Sequence, residues 1–135
     1  MMTPFSWPVR VYYEDTDSGG IVYYANYLRF LERARTEWLR ALGFGQRELA
    51  ERHHIVFVVR SLAIDYFMPS SFDDSLQVTV ELVKVGASLM VVAQQVICGS
   101  EVRVGAEVKL ACVDRAAFQP VRIPKAIVTR MGTTS

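Results

Sequence analysis

A long amphipathic helix, predicted between Asn26 and Gly43, is the feature that most constrains the fold. Apolar side chains recur through this segment at the spacing of one face of an α-helix. Asn26 is predicted to cap the helix at its start, and Gly43 is predicted to end it in a left-handed conformation. A stripe this wide must be buried, so the rest of the chain is predicted to wrap around it. The stripe consists of Tyr27, Phe30, Leu31, Ala34, Trp38, Leu39 and Leu42.

Runs of residues rich in Val, Ile and Leu predict the strands that cover this helix. A short strand is predicted before the helix, at Val9–Tyr13, and further strands follow it. Turn signals that contain Gly, Pro or paired Asp separate the later runs. Strands that follow one another directly form antiparallel sheets, in contrast to the parallel sheets of alternating strands and helices. The later runs are residues 55–68, 76–86, 88–98 and 102–114.

These elements predict an α+β fold in which a five-stranded antiparallel sheet curls around one long central helix. Two further helices are predicted, a short one at residues 46–53 and a terminal one at Lys125–Met131, which Pro124 opens. The run 88–98 is apolar almost throughout. One side of that strand is predicted to face the helix and the other a second subunit, or else the strand is an edge that pairs between subunits. Either arrangement predicts a homodimer or a homotetramer.

Composition limits the classes of function that fit this chain. With 135 residues, it is predicted to form a single domain, residues 1–135. The formal net charge of +1 argues against a nucleic-acid partner, which requires a strongly positive surface. No apolar run approaches the ~20 residues of a membrane span, and the N-terminus has no signal-peptide pattern. Cys98 and Cys112 lie in separate strand-like runs, so a disulfide is not expected and the cytoplasm is the predicted location.

The turn between the first strand and the helix, residues 14–20, is the candidate for chemistry. Its carboxylate Asp17 stands a few residues before the helix start, where unpaired backbone N–H groups carry a partial positive charge. Such groups stabilise a carbonyl oxygen as it becomes negative, while a carboxylate beside it attacks the carbon or deprotonates a water. The spacing alone is also typical of an acidic residue that only forms the turn.

Motifs for metal and cofactor chemistry are not found in the sequence. There is no C-x-x-C or H-E-x-x-H metal set and no G-x-S-x-G nucleophile elbow. The acidic turn resembles the beginning of a calcium loop, but Asn26 occupies the position of the closing glutamate. His53 and His54 have no acid or nucleophile partner nearby in the sequence, which predicts a surface or structural role. No metal and no cofactor are predicted.

The residues from Arg10 to Tyr27, RVYYEDTDSGGIVYYANY, resemble the signature of the 4-hydroxybenzoyl-CoA thioesterase family. Downstream, FVVRSLAIDYFMPSSFDDSL and the turn VGASL are similar to the acyl-CoA thioesterases encoded with the Tol-Pal cell-envelope system of Gram-negative bacteria. The resemblance covers roughly residues 7–125. It implies the hotdog fold, in which an antiparallel sheet wraps a long helix. It also implies hydrolysis of acyl-CoA without a metal or a bound cofactor.

The same resemblance implies roles for individual residues. Asp17 matches the catalytic aspartate, and the backbone amide of Tyr24 matches the group that polarises the thioester carbonyl. Tyr13 matches a tyrosine that accompanies the aspartate in Tol-Pal-type members, whereas Tyr24 stands where those members carry histidine. Family sites lie at the subunit interface, and the phosphates of CoA need cations at the rim of such a site. The predicted CoA-binding residues are Arg60, Lys84 and Ser88.

The predicted function is cytoplasmic hydrolysis of short-chain or aromatic acyl-CoA to the free acid and CoA, with Asp17 as base or nucleophile. One alternative is a hotdog dehydratase, which needs a histidine beside a carboxylate, whereas His53 and His54 lie outside the acidic turn. The other alternative is a binding or scaffolding module for acyl carrier protein, linked to the Tol-Pal and phospholipid system, with little hydrolytic activity. Acyl-CoA is the predicted substrate, and acyl carrier protein is a further predicted partner.

Overall fold

A computed structural model describes residues 4–134, with side chains through residue 132. Residues 1–3, which open the segment predicted not to be a signal peptide, and Ser135 lie outside the described residues. In chain order the elements are β1 (Phe5–Arg10), a 3-10 turn (Tyr13–Asp15), α1 (Asn26–Ala41), α2 (Gln46–Arg52), β2 (Ile55–Tyr66), β3 (Ser75–Val85), β4 (Leu89–Cys98), β5 (Glu101–Asp114) and α3 (Lys125–Thr134).

The five strands form one antiparallel sheet in the order β1-β3-β4-β5-β2, which confirms the predicted sheet. The strands after α1 are not a simple meander, however, because β2 pairs with β5 and not with β3. Residues 67–74 carry the chain across the end of the sheet, from the β2 edge to β3. β4 is the central strand, with β3 and β5 on its two sides, so the hypothesis that residues 88–98 form an edge is wrong.

The apolar stripe of α1 covers one face of this sheet. Each of the stripe residues predicted from the sequence is buried, with at most 4% of its surface exposed. Alternate residues of the central strands face the helix, among them Val78, Val92 and Val108. Burial of apolar surface stabilises a fold by about 25 cal/mol per Å² removed from water, so this layer is the main source of stability. The predicted central helix is confirmed.

The first strand lies earlier in the chain than predicted. β1 pairs with β3 over Phe5–Arg10, and the prediction of a strand at Val9–Tyr13 is wrong. Tyr13 begins the 3-10 turn instead. Pro8 is tolerated inside β1 because this strand lies at an edge of the sheet and has a neighbour on one side only.

The two ends of α1 differ in how well they match the sequence pattern. Asn26 is the first helical residue and not the N-cap, which is Ala25. The Asn26 side chain donates from Nδ2 to the carbonyl of Asp15 at 2.9 Å, so it holds the preceding turn and leaves the helix uncapped. At the other end, Gly43 has a φ of +97°, which is the left-handed conformation predicted for it.

The shorter helices and the cysteines complete the fold. α2 and α3 form where they were predicted, although α3 continues to Thr134. Cys98 and Cys112 are free thiols at opposite ends of the sheet, where Cys98 lies opposite Glu101 and Cys112 opposite Phe57. Burial raises the pKa of the Cys112 thiol to about 11, which keeps it protonated at neutral pH. Within residues 4–134, no helix is long and apolar enough to cross a membrane.

Candidate active site

Asp17 lies in a tight turn that closes on itself. Its backbone N–H donates to the carbonyl of Ile21 at 2.8 Å, and the N–H of Gly20 donates to the Asp17 carbonyl at 3.0 Å. Gly20 has a φ of +85°, a conformation that residues with a side chain rarely adopt. Thr16 and Val22 pair as an antiparallel bridge at the base of the turn. These backbone bonds hold Asp17 in a defined position.

The Asp17 carboxylate is exposed, and one of its two oxygens accepts a hydrogen bond. Oδ1 accepts the N–H of Gly19 at 2.8 Å, whereas Oδ2 has no hydrogen-bond partner among the described residues. A Cβ atom at position 19 would lie 3.2 Å from Oδ1, so glycine permits this close approach. One oxygen therefore orients the carboxylate, and the other is available to a substrate or a water.

Asp15 ties this turn to the first turn of α1, a role that the sequence pattern did not reveal. It is buried, and its carboxylate accepts the N–H of Tyr12 at 2.9 Å. Its carbonyl accepts two further bonds, from the Tyr23 N–H at 3.0 Å and from Asn26 Nδ2 at 2.9 Å. These bonds fix the start of the helix relative to Asp17. The sequence pattern did not reveal the bonds of the Asp15 carbonyl, because they join it to residues eight and eleven positions later in the chain, beyond the reach of a turn or capping rule.

Replacing Asp15 by alanine is expected to lower the free energy of unfolding by about 1–3 kcal/mol, because the Tyr12 N–H loses its acceptor. Urea unfolding followed by circular dichroism measures this. The matched control is Glu14→Ala, which removes an exposed carboxylate from the neighbouring position and is expected to change stability by less than about 0.5 kcal/mol. Equal losses for the two variants would contradict the structural role of Asp15.

The start of α1 offers a backbone donor next to the turn. The Asn26 N–H donates to the Tyr23 carbonyl at 2.8 Å, and the Tyr27 N–H donates to the Tyr24 carbonyl at 3.4 Å. Within residues 4–134, the Tyr24 N–H donates to no acceptor. An unpaired amide at this end of a helix adds to its partial positive charge. Asp17 and the free Tyr24 amide thus belong to one hydrogen-bonded loop.

An apolar cavity of about 280 Å³ opens beside Tyr24. The Tyr66 hydroxyl donates to the Tyr24 carbonyl at 3.3 Å, and its ring packs against the rings of Tyr24 and Tyr27. Partial burial, reinforced by these two tyrosines, raises the pKa of Tyr66, so its hydroxyl stays neutral. The cavity suits an apolar group attached to a carbonyl at the Tyr24 amide. Its lining consists of Ile21, Val22, Tyr24, Tyr27, Tyr66, Phe67, Met68 and Pro69.

Tyr13, predicted from the resemblance as a catalytic residue, begins the 3-10 turn that precedes Asp17. Its ring stacks on that of Phe72, with the centroids 3.7 Å apart and 3° between the planes. Three quarters of Tyr13 (75%) is exposed, so its hydroxyl is accessible. Its catalytic role stays a prediction.

Two of the three predicted CoA-binding residues, Lys84 and Ser88, lie far from Asp17 within one chain. Lys84 and Ser88 line a cavity of about 310 Å³ at the turn between β3 and β4. Arg60 lies on β2 at a bulge and does not line this cavity. The acidic turn adjoins the other end of β3, where the Val11 N–H donates to the Asp74 carbonyl at 3.0 Å. From Ser75 to Val85 this strand spans about 33 Å, so the structure does not bring Lys84 and Ser88 to Asp17.

Histidines and metal ligands do not enter this site. His53 and His54 are exposed at the beginning of β2, whereas Tyr66 and the acidic turn lie at its end. The dehydratase hypothesis requires a histidine beside a carboxylate, and the structure places no histidine beside Asp17. Within the described part of the chain, there is no group of three or more His, Cys, Asp or Glu side chains that could hold a metal ion.

The fold and the site match one family of enzymes. Residues 11–131 match the thioesterase-like superfamily, and the chain belongs to that family. A solved structure, the probable thioesterase from Bartonella henselae, is 32% identical and superimposes with a TM-score of 0.87 over 90% of this chain and all (100%) of that one. These matches confirm the hotdog fold and the family that the acidic turn predicted.

Two relatives with higher sequence identity are both named for the same activity, the hydrolysis of acyl-CoA thioesters. The acyl-CoA thioesterase YbgC of Haemophilus influenzae is 48% identical over 123 residues, which cover 91% of this chain and 90% of that protein. The acyl-CoA thioester hydrolase YbgC of Escherichia coli O6:H1 is 44% identical over 128 residues, which cover 93% of this chain and 94% of that protein. The similarity extends over at least nine tenths of both chains in each comparison.

Proposed function

We propose that this chain is an acyl-CoA thioesterase that splits the bond between the carbonyl carbon and sulfur, releasing a free acid and CoA. The observation that carries the proposal is the free Tyr24 N–H at the start of α1, in one loop with the exposed Asp17 carboxylate. Two relatives that are 44% and 48% identical to this chain are named as acyl-CoA thioester hydrolase and acyl-CoA thioesterase. Their named activity favours hydrolysis over the scaffolding alternative.

The chemistry follows from the position of these two groups. The thioester oxygen accepts the Tyr24 N–H, which stabilises the negative charge of the tetrahedral intermediate; one such donor is typically worth about 10²–10³ in rate. In one route, Asp17 takes a proton from water as the water adds to the carbon, and CoA then leaves as the thiolate. In the other, the Asp17 carboxylate attacks the carbon, CoA leaves, and water hydrolyses the resulting anhydride. Tyr24 acts through its backbone, so tyrosine in place of histidine does not affect this step.

The acyl group is proposed to be short-chain or aromatic. The cavity beside the Tyr24 amide is small, about 280 Å³, and it is lined by aromatic and other apolar side chains. Such walls stabilise an apolar group by about 0.8 kcal/mol for each buried methylene and pack well against a flat ring.

A homodimer or homotetramer is proposed to complete the site. β2 is an edge strand, and an edge with unpaired backbone groups readily pairs with a second chain. Large apolar side chains are exposed around the acidic turn, the start of α1 and the segment after β2, which is typical of an interface. These side chains are Tyr12, Tyr13, Ile21, Tyr23, Tyr24, Leu28, Tyr66, Phe67, Met68 and Phe72.

In a dimer with two-fold symmetry, the Lys84 and Ser88 side chains of one copy lie near Asp17 of the other. Identical edge strands related by a two-fold axis pair antiparallel, so the Ile55 end of β2 in one copy lies beside the Tyr66 end in the other. The turn with Lys84 and Ser88 is at the Ile55 end of the sheet. A second copy therefore brings its own Lys84 and Ser88 towards Asp17, where they hold the phosphates of CoA.

Acyl carrier protein and a link to the Tol-Pal system stay predictions from the resemblance, and a cytoplasmic location stays a prediction from the two unpaired cysteines. A thiol-trapping assay over a panel of acyl-CoA substrates tests the proposed function, with titration of acyl carrier protein as the companion measurement. Release of CoA from short-chain or aromatic members is the expected result. Tight binding of acyl carrier protein, together with no hydrolysis of any thioester in the panel, would instead establish the scaffolding alternative.

A further inference from the structure

Two half-buried arginines bond residues that are far away in the chain. Arg35 Nη1 donates to Gln94 Oε1 at 3.0 Å, beside a cavity of about 550 Å³ between α1, α2 and the β2 edge of the sheet. Arg103, on β5, is directed instead at residues 67–74, the crossover segment that joins β2 to β3. This crossover segment adjoins the acidic turn, so the contacts of Arg103 bear on Asp17.

Arg103 lies at a bulge of β5. The pairing of β4 with β5 shifts between Val96 and Ile97, which leaves Arg103 without an opposite residue in β4. A bulge of this kind bends the strand and re-aims a side chain. The Arg103 carbonyl accepts the N–H groups of Phe67 at 2.8 Å and Met68 at 3.1 Å. The backbone of Arg103 therefore holds the beginning of the crossover segment.

The Arg103 side chain holds the remainder of this segment. Its Nη1 donates to the Pro69 carbonyl at 2.7 Å and also contacts Ser70 Oγ at 3.4 Å and Asp74 Oδ2 at 3.3 Å. Its Nε lies 2.5 Å from Glu101 Oε1, which anchors the guanidinium to its own strand. Only 16% of the side chain is exposed, so water competes little for these contacts. One residue thus fixes the crossover segment near both of its ends.

The crossover segment in turn holds the acidic turn. The Val22 N–H donates to the Ser70 carbonyl at 2.8 Å, and Ile21 pairs with Ser71 in an antiparallel bridge. The Ile21 carbonyl is also the acceptor of the Asp17 N–H. A displacement of the crossover segment would therefore reach Asp17 through a short series of backbone hydrogen bonds.

We propose that Arg103 is a positioning residue of the proposed active site, and that it keeps Asp17 in register with the acyl cavity by fixing the crossover segment. The first three residues of this segment line the cavity beside the Tyr24 amide, and the next two bond the acidic turn. Among the described residues, no hydrogen bond or ion pair joins Arg103 to Asp17, so Arg103 acts through the segment. This inference rests on the proposed function.

The first test compares kcat and KM of matched variants on one acyl-CoA. Arg103→Met keeps the apolar stem but removes the donors. It is expected to lower kcat by about 10- to 100-fold, the cost of misplacing a catalytic group by about 1 Å, with KM little changed. Arg103→Lys keeps the charge without the guanidinium fork and is expected to recover part of the loss. The control Arg10→Met removes an exposed arginine that contacts Asp73 of the same segment, and is expected to keep wild-type kcat.

A double-mutant cycle with Asp17→Asn separates positioning from a general loss of stability. Groups that act as one unit have non-additive effects, so Arg103→Met is expected to lower kcat by less than about 3-fold in the Asp17→Asn background. The full loss in that background, or wild-type kcat in a folded Arg103→Met variant, would overturn the inference and leave the proposed function intact. An equal loss of kcat in Arg10→Met would also contradict a particular role for Arg103.

Amide hydrogen exchange tests the physical step independently of activity. Arg103→Met is expected to speed exchange of the Val22 and Met68 amides by about tenfold, because the bonds that hold the crossover segment are weakened, while β4 stays protected. If Arg103→Met fails to fold, Arg103→Lys provides the same comparison. Unchanged exchange at both amides would exclude the positioning role. No hydrolysis of any thioester by the wild type would instead overturn the proposed function.

Discussion

Replacing Asp17 by asparagine is expected to lower kcat for acyl-CoA hydrolysis by about 10²- to 10⁴-fold, the usual contribution of a general base. A larger loss is expected if the carboxylate is the nucleophile. Asparagine still has a side-chain oxygen that can accept the Gly19 N–H, the single contact that the Asp17 carboxylate makes among the described residues. The substitution therefore removes the chemistry and leaves the turn in place. Thiol-trapping kinetics measure kcat, and thermal unfolding checks that the midpoint is unchanged.

The control for this variant lies in the same turn. Glu14→Gln neutralises an exposed carboxylate three residues away and is expected to keep wild-type turnover. Asp17→Ala, which also removes the bond to Gly19, is expected to lose at least as much activity as Asp17→Asn. Wild-type turnover in both Asp17 variants would exclude this residue from the mechanism, and loss of folding in Asp17→Asn would show that it is structural.

Reversing the charge at the proposed CoA rim is expected to raise KM for acyl-CoA by about 10- to 100-fold, with kcat little changed. The double variant Arg60→Glu with Lys84→Glu removes two cations and places two anions near the phosphates of CoA. Both side chains are exposed, and neither forms an ion pair with another described residue, so stability is not expected to fall. Steady-state kinetics on one acyl group carried by CoA and by pantetheine measure the effect.

The pantetheine thioester makes this experiment specific, because it carries the same reacting bond but lacks the nucleotide phosphates. Its kcat/KM is expected to be the same in the wild type and in the double variant. The control Arg33→Glu changes the charge of α1 at an exposed position and is expected to leave both substrates unaffected. Equal losses on the CoA and pantetheine thioesters would mean that Arg60 and Lys84 do not recognise phosphate.

Local patterns predicted the parts of this fold that depend on near neighbours. The α1 stripe was correct because helical spacing puts its residues on one face whatever covers them. Gly43 was correct because a left-handed helix end favours glycine. Asn26 was assigned wrongly: the residue type suits an N-cap, but its side chain bonds the carbonyl of Asp15, eleven residues earlier. The first strand was misplaced because it contains Pro8, and the edge position that tolerates a proline in a strand is not visible in the sequence.

The candidate active site also contains some features that the sequence predicted and others that appeared only in the structure. Asp17 and the amides at the start of α1 were predicted together because one short segment contains both, and the family resemblance pointed to the Tyr24 amide among them. The bonds of Asp15 were missed, as was the Arg35–Gln94 pair, whose members are 59 residues apart. The separation of Lys84 and Ser88 from Asp17 also appeared only in the folded chain, because it depends on the length of β3.

The sequence by itself determined that this chain buries one long helix under an antiparallel sheet and places a carboxylate just before that helix. Both properties arise from residues that are close in the chain, where spacing alone sets the geometry. Only the tertiary structure decided that β2 lies at an edge, that Gln94 bonds the Arg35 guanidinium beside a cavity, and that Lys84 and Ser88 lie at the far end of the sheet from Asp17. These depend on which strands pair, and strand pairing is a choice among distant segments that no local pattern encodes.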